Sequence, residues 1–187
     1  LPDRIIVLTR RMQVLALNRA TGKVLWRRRL PAQRIGPQHL ANGLLLVTSY
    51  DSLYLVRPTD GTIQRRRRAP GALTAPWVPL GTRLVGATGD SLLVALDPDS
   101  LTVDWSVRLD APALASPVVR QDTVYAVTRT GSIYRVPPGG APTAERLHQD
   151  PWAVTGAPLL FGDWLVVGGS EGSLRAFALG DGAPAWS

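Results

Sequence analysis

The sequence has no cysteine, two histidines, one methionine and a single lysine, Lys23, in 187 residues. The lack of cysteine excludes a disulfide framework, thiolate metal sites and a cysteine nucleophile. Two histidines leave little for imidazole chemistry. His39 and His148 have no neighbour at metal-ligand spacing, and each is expected to be solvated or satisfied. No apolar run reaches the ~18 residues of a membrane span. The longest candidate, 159–169, is broken by Asp163. The first residues show no charged region, apolar run and cleavage site in succession, so no signal peptide is expected within the chain.

What is present is arginine, glycine, proline and aliphatic residues. With 45% hydrophobic and 19% charged residues the chain reads as globular, and at this length one domain over residues 1–187 is the default. The net charge of +7 is uneven. Residues 1–70 hold 14 Lys+Arg against 3 Asp+Glu, and residues 71–187 hold 7 against 11. Such asymmetry marks a candidate surface for an anionic partner.

The chain repeats itself. Leu15-Ala16-Leu17, Tyr54-Leu55-Val56, Val94-Ala95-Leu96, Tyr134-Arg135-Val136 and Arg175-Ala176-Phe177 align, with spacings of 39, 40, 40 and 41 between their middle residues. Ten residues after each middle residue stand Trp26, Arg65, Trp105, Glu145 and Trp186. Between the two markers lie turn residues: Thr21-Gly22-Lys23, Asp60-Gly61-Thr62, Asp99-Ser100-Leu101, Gly139-Gly140 and Gly180-Asp181-Gly182. A third marker, Pro37, Pro76, Pro117 and Pro158, precedes short apolar runs.

One period reads as four short strands. In the last, 157–161 and 164–168 are apolar runs, 174–179 alternates, and 183–186 closes after a Gly-Asp-Gly turn. No segment keeps a helical period. Four-stranded units of about 40 residues are β-propeller blades. The reading is therefore an all-β propeller with units at about 4–30, 31–70, 71–111, 112–150 and 151–187. The first unit is three-stranded and the other four are complete; they either close a small ring with a defective blade or, the preferred reading, form part of a larger ring.

Residues 16–26, with Ala16, Asn18, Thr21, Gly22 and Trp26, resemble the eleven-residue tryptophan-docking motif of quinoprotein-like (pyrroloquinoline-quinone-type) propeller repeats, Asn18 standing where that motif has Asp. Ala95 with Trp105 and Ala176 with Trp186 are weaker copies. The resemblance implies that Trp26, Trp105 and Trp186, with Thr21 and Gly22, staple blades together, because a buried indole supplies both area and an N–H donor. The family includes quinone-dependent dehydrogenases, envelope sensor domains and non-catalytic scaffolds such as the propeller lipoprotein of the outer-membrane barrel assembly machinery.

Chemistry argues against the dehydrogenases. Members of that class resemble one another in adjacent cysteines over the quinone and in a calcium held by acidic and amide ligands. Here there is no cysteine and no acidic cluster for the six to eight oxygen ligands calcium takes. No nucleophile elbow or phosphate loop occurs either; the 168–172 stretch is a strand turn. No catalytic residue, cofactor or metal is assigned.

The remaining signal is two arginine runs, Arg27, Arg28, Arg29 and Arg65, Arg66, Arg67, Arg68, at matching repeat positions on or after an outermost strand. Edge protection, contact with an acidic protein surface or anionic headgroups, and nucleic-acid binding compete. Nucleic acid ranks last because no aromatics interleave the basic run. Alternation along a strand sends every second arginine to the opposite face. The expected function is a non-enzymatic scaffold for protein–protein interaction, whose partners are protein subunits with an acidic or membrane-proximal surface. Placement in the periplasm or cell envelope follows from the resemblance alone. The alternatives are an inert portion of a quinone-dependent dehydrogenase, or a ligand-sensing domain of a larger receptor or kinase.

Overall fold

Alternating apolar residues on short strands, separated by turns that need left-handed backbone, produce five antiparallel sheets and no helix among the described residues of the computed structural model. The structure describes residues 3–31, 35–139 and 142–186, with backbone alone for 35–41. The side chains of Pro37 and His39, and Gly140, lie outside the described residues.

Blade 1 comprises β1 (Arg4–Leu8), β2 (Gln13–Asn18) and β3 (Val24–Arg29). Blade 2 comprises β4 (Ile35–Ala41), β5 (Leu44–Ser49), β6 (Ser52–Val56) and β7 (Ile63–Arg68). Blade 3 holds β8 (Val78–Leu80), β9 (Arg83–Ala87), β10 (Leu92–Leu96) and β11 (Val103–Arg108). Blade 4 holds β12 (Val118–Arg120), β13 (Thr123–Val127), β14 (Ile133–Val136) and β15 (Glu145–His148). Blade 5 holds β16 (Leu159–Phe161), β17 (Trp164–Gly168), β18 (Leu174–Ala178) and β19 (Pro184–Trp186). Each strand pairs only with its sequence neighbours, so every blade is a meander whose last strand has a free edge. The fold is thus a run of β-propeller blades, four complete and the first three-stranded.

By contacts the chain divides into two compact units, Leu1–Leu73 with Pro98–Thr102, and Thr74–Asp97 with Val103–Ser187. Within the first unit, Val14 and Trp26 of blade 1 pack on Leu45, Val47, Tyr54 and Val56 of blade 2. Within the second, Val85, Ala87, Leu93 and Trp105 of blade 3 meet Val124, Ala126, Tyr134 and Val136 of blade 4. Tyr125, Val127 and Ile133 of blade 4 meet Leu165, Val167 and Phe177 of blade 5. All three seams follow one polarity. The face carrying the Ala16 and Trp26 positions covers the next blade's face carrying the Tyr54 and Val56 positions.

Two backbone devices recur. Ladder register shifts at Ala16/Leu17, Leu55/Val56, Ala95/Leu96 and Ala176/Phe177, the same repeat position in four blades. A hydroxyl also closes the hairpin between a blade's second and third strands, counted from the blade's full complement. Thr9 Oγ accepts from the Gln13 N–H, Ser49 from Ser52, Thr88 from Leu92 and Thr128 from Ser132. These hydroxyls recur about every 40 residues, a marker overlooked in the sequence. In blade 5 the position is Gly169, because the Trp152 ring lies where its Cβ would be, 2.5 Å away.

Glycine is required where a turn meets the neighbouring blade's indole. Gly61 has φ +74°, and a Cβ there would lie 2.6 Å from the Trp26 ring. Gly43, at φ +73°, faces open space. Gly43→Ala is expected to cost about 1–2 kcal/mol, the left-handed penalty alone. Gly61→Ala adds about 1–3 kcal/mol of overpacking. Urea denaturation of the two variants checks this; equal losses would show that the indole does not confine the turn.

Candidate functional site

The two arginine runs fall on β3 and β7, the free-edged outermost strands of blades 1 and 2. Every arginine of both runs is exposed. Strand alternation divides them. Arg28 shares a face with Trp26, opposite Val14 and Ala16 respectively, while Arg27 and Arg29 lie on the other face, opposite Leu15 and Gln13. On β7, Arg66 and Arg68 pair with Tyr54 and Ser52, and Arg65 and Arg67 with Leu55 and Leu53.

Two of the seven are engaged, Arg28 across the seam between blades 1 and 2 and Arg66 within blade 2. Arg28 Nε donates to the Gly61 carbonyl at 2.9 Å. Arg66 donates to Ser52 Oγ at 3.1 Å through one terminal nitrogen, and its guanidinium lies 5.5 Å from the Tyr54 ring centroid. Arg27, Arg29, Arg65, Arg67 and Arg68 have no ion pair or hydrogen bond among the described residues. Five guanidinium groups on two strands are therefore solvated, Arg27 and Arg29 on the blade 1 face turned from blade 2 and Arg65 and Arg67 on the blade 2 face turned from blade 1. Arg66, Arg67 and Arg68 line a shallow crevice of about 480 Å³ together with Asp51 and Ser52.

The residues expected to staple blades occupy unlike settings. Trp26 is half-buried, and its Nε1 donates to the Pro58 carbonyl of blade 2 at 2.9 Å. The same carbonyl accepts from Arg4 at 3.0 Å. Asn18 Oδ1 accepts from the Ala20 and Thr21 N–H groups and from the Thr21 hydroxyl, so Asn18 does what an Asp would do in this turn. Gly22, at φ +69°, completes the turn by donating to the Asn18 carbonyl at 2.8 Å. In the corresponding blade 2 turn, the Thr62 N–H, then the Thr62 side chain and Arg57, hold the Asp60 carboxyl below its ordinary range.

Trp105 is half-buried beside the core of blades 3 and 4 and lines a cleft of about 640 Å³ with Val136, Pro137 and Pro138. Arg83 and Asp104 form an ion pair of 2.5 Å on the lining of that cleft. Trp186 pairs with Ala176 on the outermost strand of blade 5 and is 52% exposed.

Blade 4 replaces the Ala–Trp pair by charge. Arg135 and Glu145 are cross-strand partners with an ion pair of 2.7 Å. Arg135 also donates to the Gly180 carbonyl of blade 5 at 2.7 Å, as Trp26 does to Pro58. Farther along this seam Trp152 packs against the Cα positions of Gly131 and Gly169, with the Arg175 guanidinium 4.5 Å from its ring centroid. Arg175 pairs with Asp150 at 2.5 Å. The His148 ring lies 4.7 Å from that of Phe177 with the planes tilted by 47°, and its Nε2 is buried without a partner among the described residues. That departs from the satisfied or solvated imidazole expected, because the outer strand of blade 4 turns its last residue into the seam rather than to water. Among the described residues no three His, Cys, Asp or Glu side chains come together as a metal cluster.

Comparison with known proteins matches this geometry. The family model described as outer membrane protein assembly factor BamB matches residues 2–187. The crystal structure of BamB from Moraxella catarrhalis is similar with a TM-score of 0.80 at 18% identity, over 98% of this chain and 57% of that one. The computationally designed Ika8 protein is similar at 0.78 and 12% identity, over 98% of this chain and 58% of that one. The β-propeller domain of Cps50 (Swd1) from Myceliophteria thermophila is similar at 0.68 and 14% identity, over 98% of this chain and 69% of that one. The chain thus spans less than two thirds of the first two structures. A search of curated proteins finds no match.

The divided arginine runs give a testable contrast. Arg28→Ala removes a bond across the seam and is expected to lower stability by about 1 kcal/mol. Arg27→Ala and Arg29→Ala should stay within about 0.5 kcal/mol of the parent. Thermal or urea unfolding of the three variants checks the division; equal effects would refute it.

Proposed function

The chain belongs to the family described as outer membrane protein assembly factor BamB, and we propose that it is a non-enzymatic propeller scaffold that binds other proteins at the cell envelope. It acts as an accessory or assembly subunit of a membrane complex. Rigid blades carry loops and edges whose geometry is fixed by the seams, and binding residues concentrate on such supported surfaces.

The observation that carries the reading is the set of exposed arginines on two outermost strands, Arg27, Arg29, Arg65, Arg67 and Arg68, which no interaction among the described residues neutralises. The partner surface is correspondingly acidic, or a protein subunit seated against anionic headgroups. Opposite charge steers the encounter and fixes its orientation. The arginines also discourage strand addition at the β3 and β7 edges, so the same residues keep those edges from pairing while presenting charge. Single-stranded nucleic acid fits less well, since its binding grooves interleave basic groups with stacked aromatics.

The test is extraction of the native protein from its own membranes in mild detergent, with the co-purifying subunits identified and their stoichiometry measured. A membrane subunit at fixed ratio is expected. Replacing the five arginines together by glutamine should weaken that association at least about tenfold at low salt and flatten its salt dependence. Association that keeps its strength and salt slope in this variant would leave edge protection as their only role. A purified protein carrying a bound quinone chromophore would replace the scaffold by a redox enzyme.

A further inference from the structure

Two hairpins at the same repeat position are partnered differently. In blade 5, Gly162 and Asp163 form the turn between β16 and β17. Arg120, the last residue of β12 in blade 4, pairs with the Asp163 carboxylate at 2.8 Å and donates to the Gly162 carbonyl. In blade 4 the corresponding turn is Gln121-Asp122, and the last residue of β8 in blade 3, where Arg120 would stand, is Leu80. Leu80 carries no charge, and the Asp122 carboxylate has no ion pair or hydrogen bond among the described residues. Asp122 has φ +60°, where the matching turn of blade 2 has Gly43. Left-handed backbone disfavours side chains, yet blade 4 keeps a carboxylate there.

Leu80 and Asp122 line the cleft of about 640 Å³ between blades 3 and 4, beside Trp105, Val136 and Pro138. These blades stand in the middle of the run, so the opening does not arise at either end of the chain. Its size is that of a ligand site. The Arg83 guanidinium on its lining is neutralised by Asp104 at 2.5 Å, which leaves Asp122 as the uncompensated charge. Trp105 adds a second unmet demand. Its counterpart Trp26 donates to the Pro58 carbonyl at 2.9 Å, whereas the Trp105 N–H has no hydrogen bond among the described residues.

We propose that this cleft binds an arginine side chain presented by a partner protein. The guanidinium takes the place that Arg120 fills in the next seam, on the Asp122 carboxylate and the Gln121 carbonyl, and its aliphatic stem lies on Leu80 and Val136. A guanidinium only donates, so it cannot satisfy the Trp105 N–H. A peptide carbonyl of the same segment can, which is why the occupant is a polypeptide and not a free amine. The site goes beyond the scaffold reading and does not rest on the exposed arginines: it lies on other blades and takes charge of the opposite sign.

Two-dimensional NMR of the isotope-labelled chain provides the test. The chain has six tryptophans, and Trp105→Phe identifies the Trp105 indole signal. Acetyl-arginine amide is expected to shift that signal and to saturate at about 1–10 mM, as befits one exposed charge-assisted contact. Acetyl-citrulline amide, of the same shape without the charge, should bind at least about threefold more weakly. Asp122→Asn should weaken acetyl-arginine amide by a similar factor. Leu80→Arg should remove binding by filling the site from within, as Arg120 does in the next seam. Circular dichroism reports the fold of both variants. A Trp105 signal that stays in place up to about 50 mM probe, equal binding of the citrulline compound, or an unchanged affinity in Asp122→Asn overturns the proposal. Agmatine binding where acetyl-arginine amide does not would make the site one for a small amine and overturn the protein partner.

Discussion

The structure depends on the burial of one sheet face against the next. A four-stranded blade has two faces and too little thickness to hide either one within itself. Apolar alternation on both faces, as in β5 and β6, where nearly every residue is buried, has a physical purpose only if neighbours cover both. Turn chemistry, glycine placement and indole position all serve that constraint. Gly61 is the clearest instance: its missing side chain is the space in which Trp26 sits.

Much of this was legible in the sequence because the constraint repeats. Ala16, Leu55, Ala95, Arg135 and Ala176 return at nearly constant spacing, and each sits at the middle of a blade's inner-to-outer ladder in the structure. The strand count and the placement of both arginine runs on outer strands followed from it. The hydroxyls at Thr9, Ser49, Thr88 and Thr128 carried equal information. They went unread because serine and threonine in turns are too common to stand out against tryptophan.

The seam between blades 4 and 5 was not legible. In sequence, Arg135 and Glu145 register only as the loss of a tryptophan. In space they are an ion pair whose arginine reaches the same kind of turn carbonyl as the lost indole N–H. Pairing of this sort is invisible to a hydropathy pattern, since each charged residue separately looks like a solvated position. Trp152 likewise lies in a connecting segment outside the repeat markers, and its site is made by two glycines from different blades.

Substituting a charge pair for an indole makes cohesion along the array chemically uneven. The blade 1–blade 2 seam gains from anything that strengthens the expulsion of apolar surface from water, including sulfate-like salts and moderate warming. The Arg135–Glu145 and Arg175–Asp150 contacts lose strength as mobile ions screen them, and the dehydration they require becomes less costly with heat. Screening ions therefore loosen one contact of the blade 4–blade 5 seam, while the apolar packing that this seam shares with that of blades 1 and 2 stays in place.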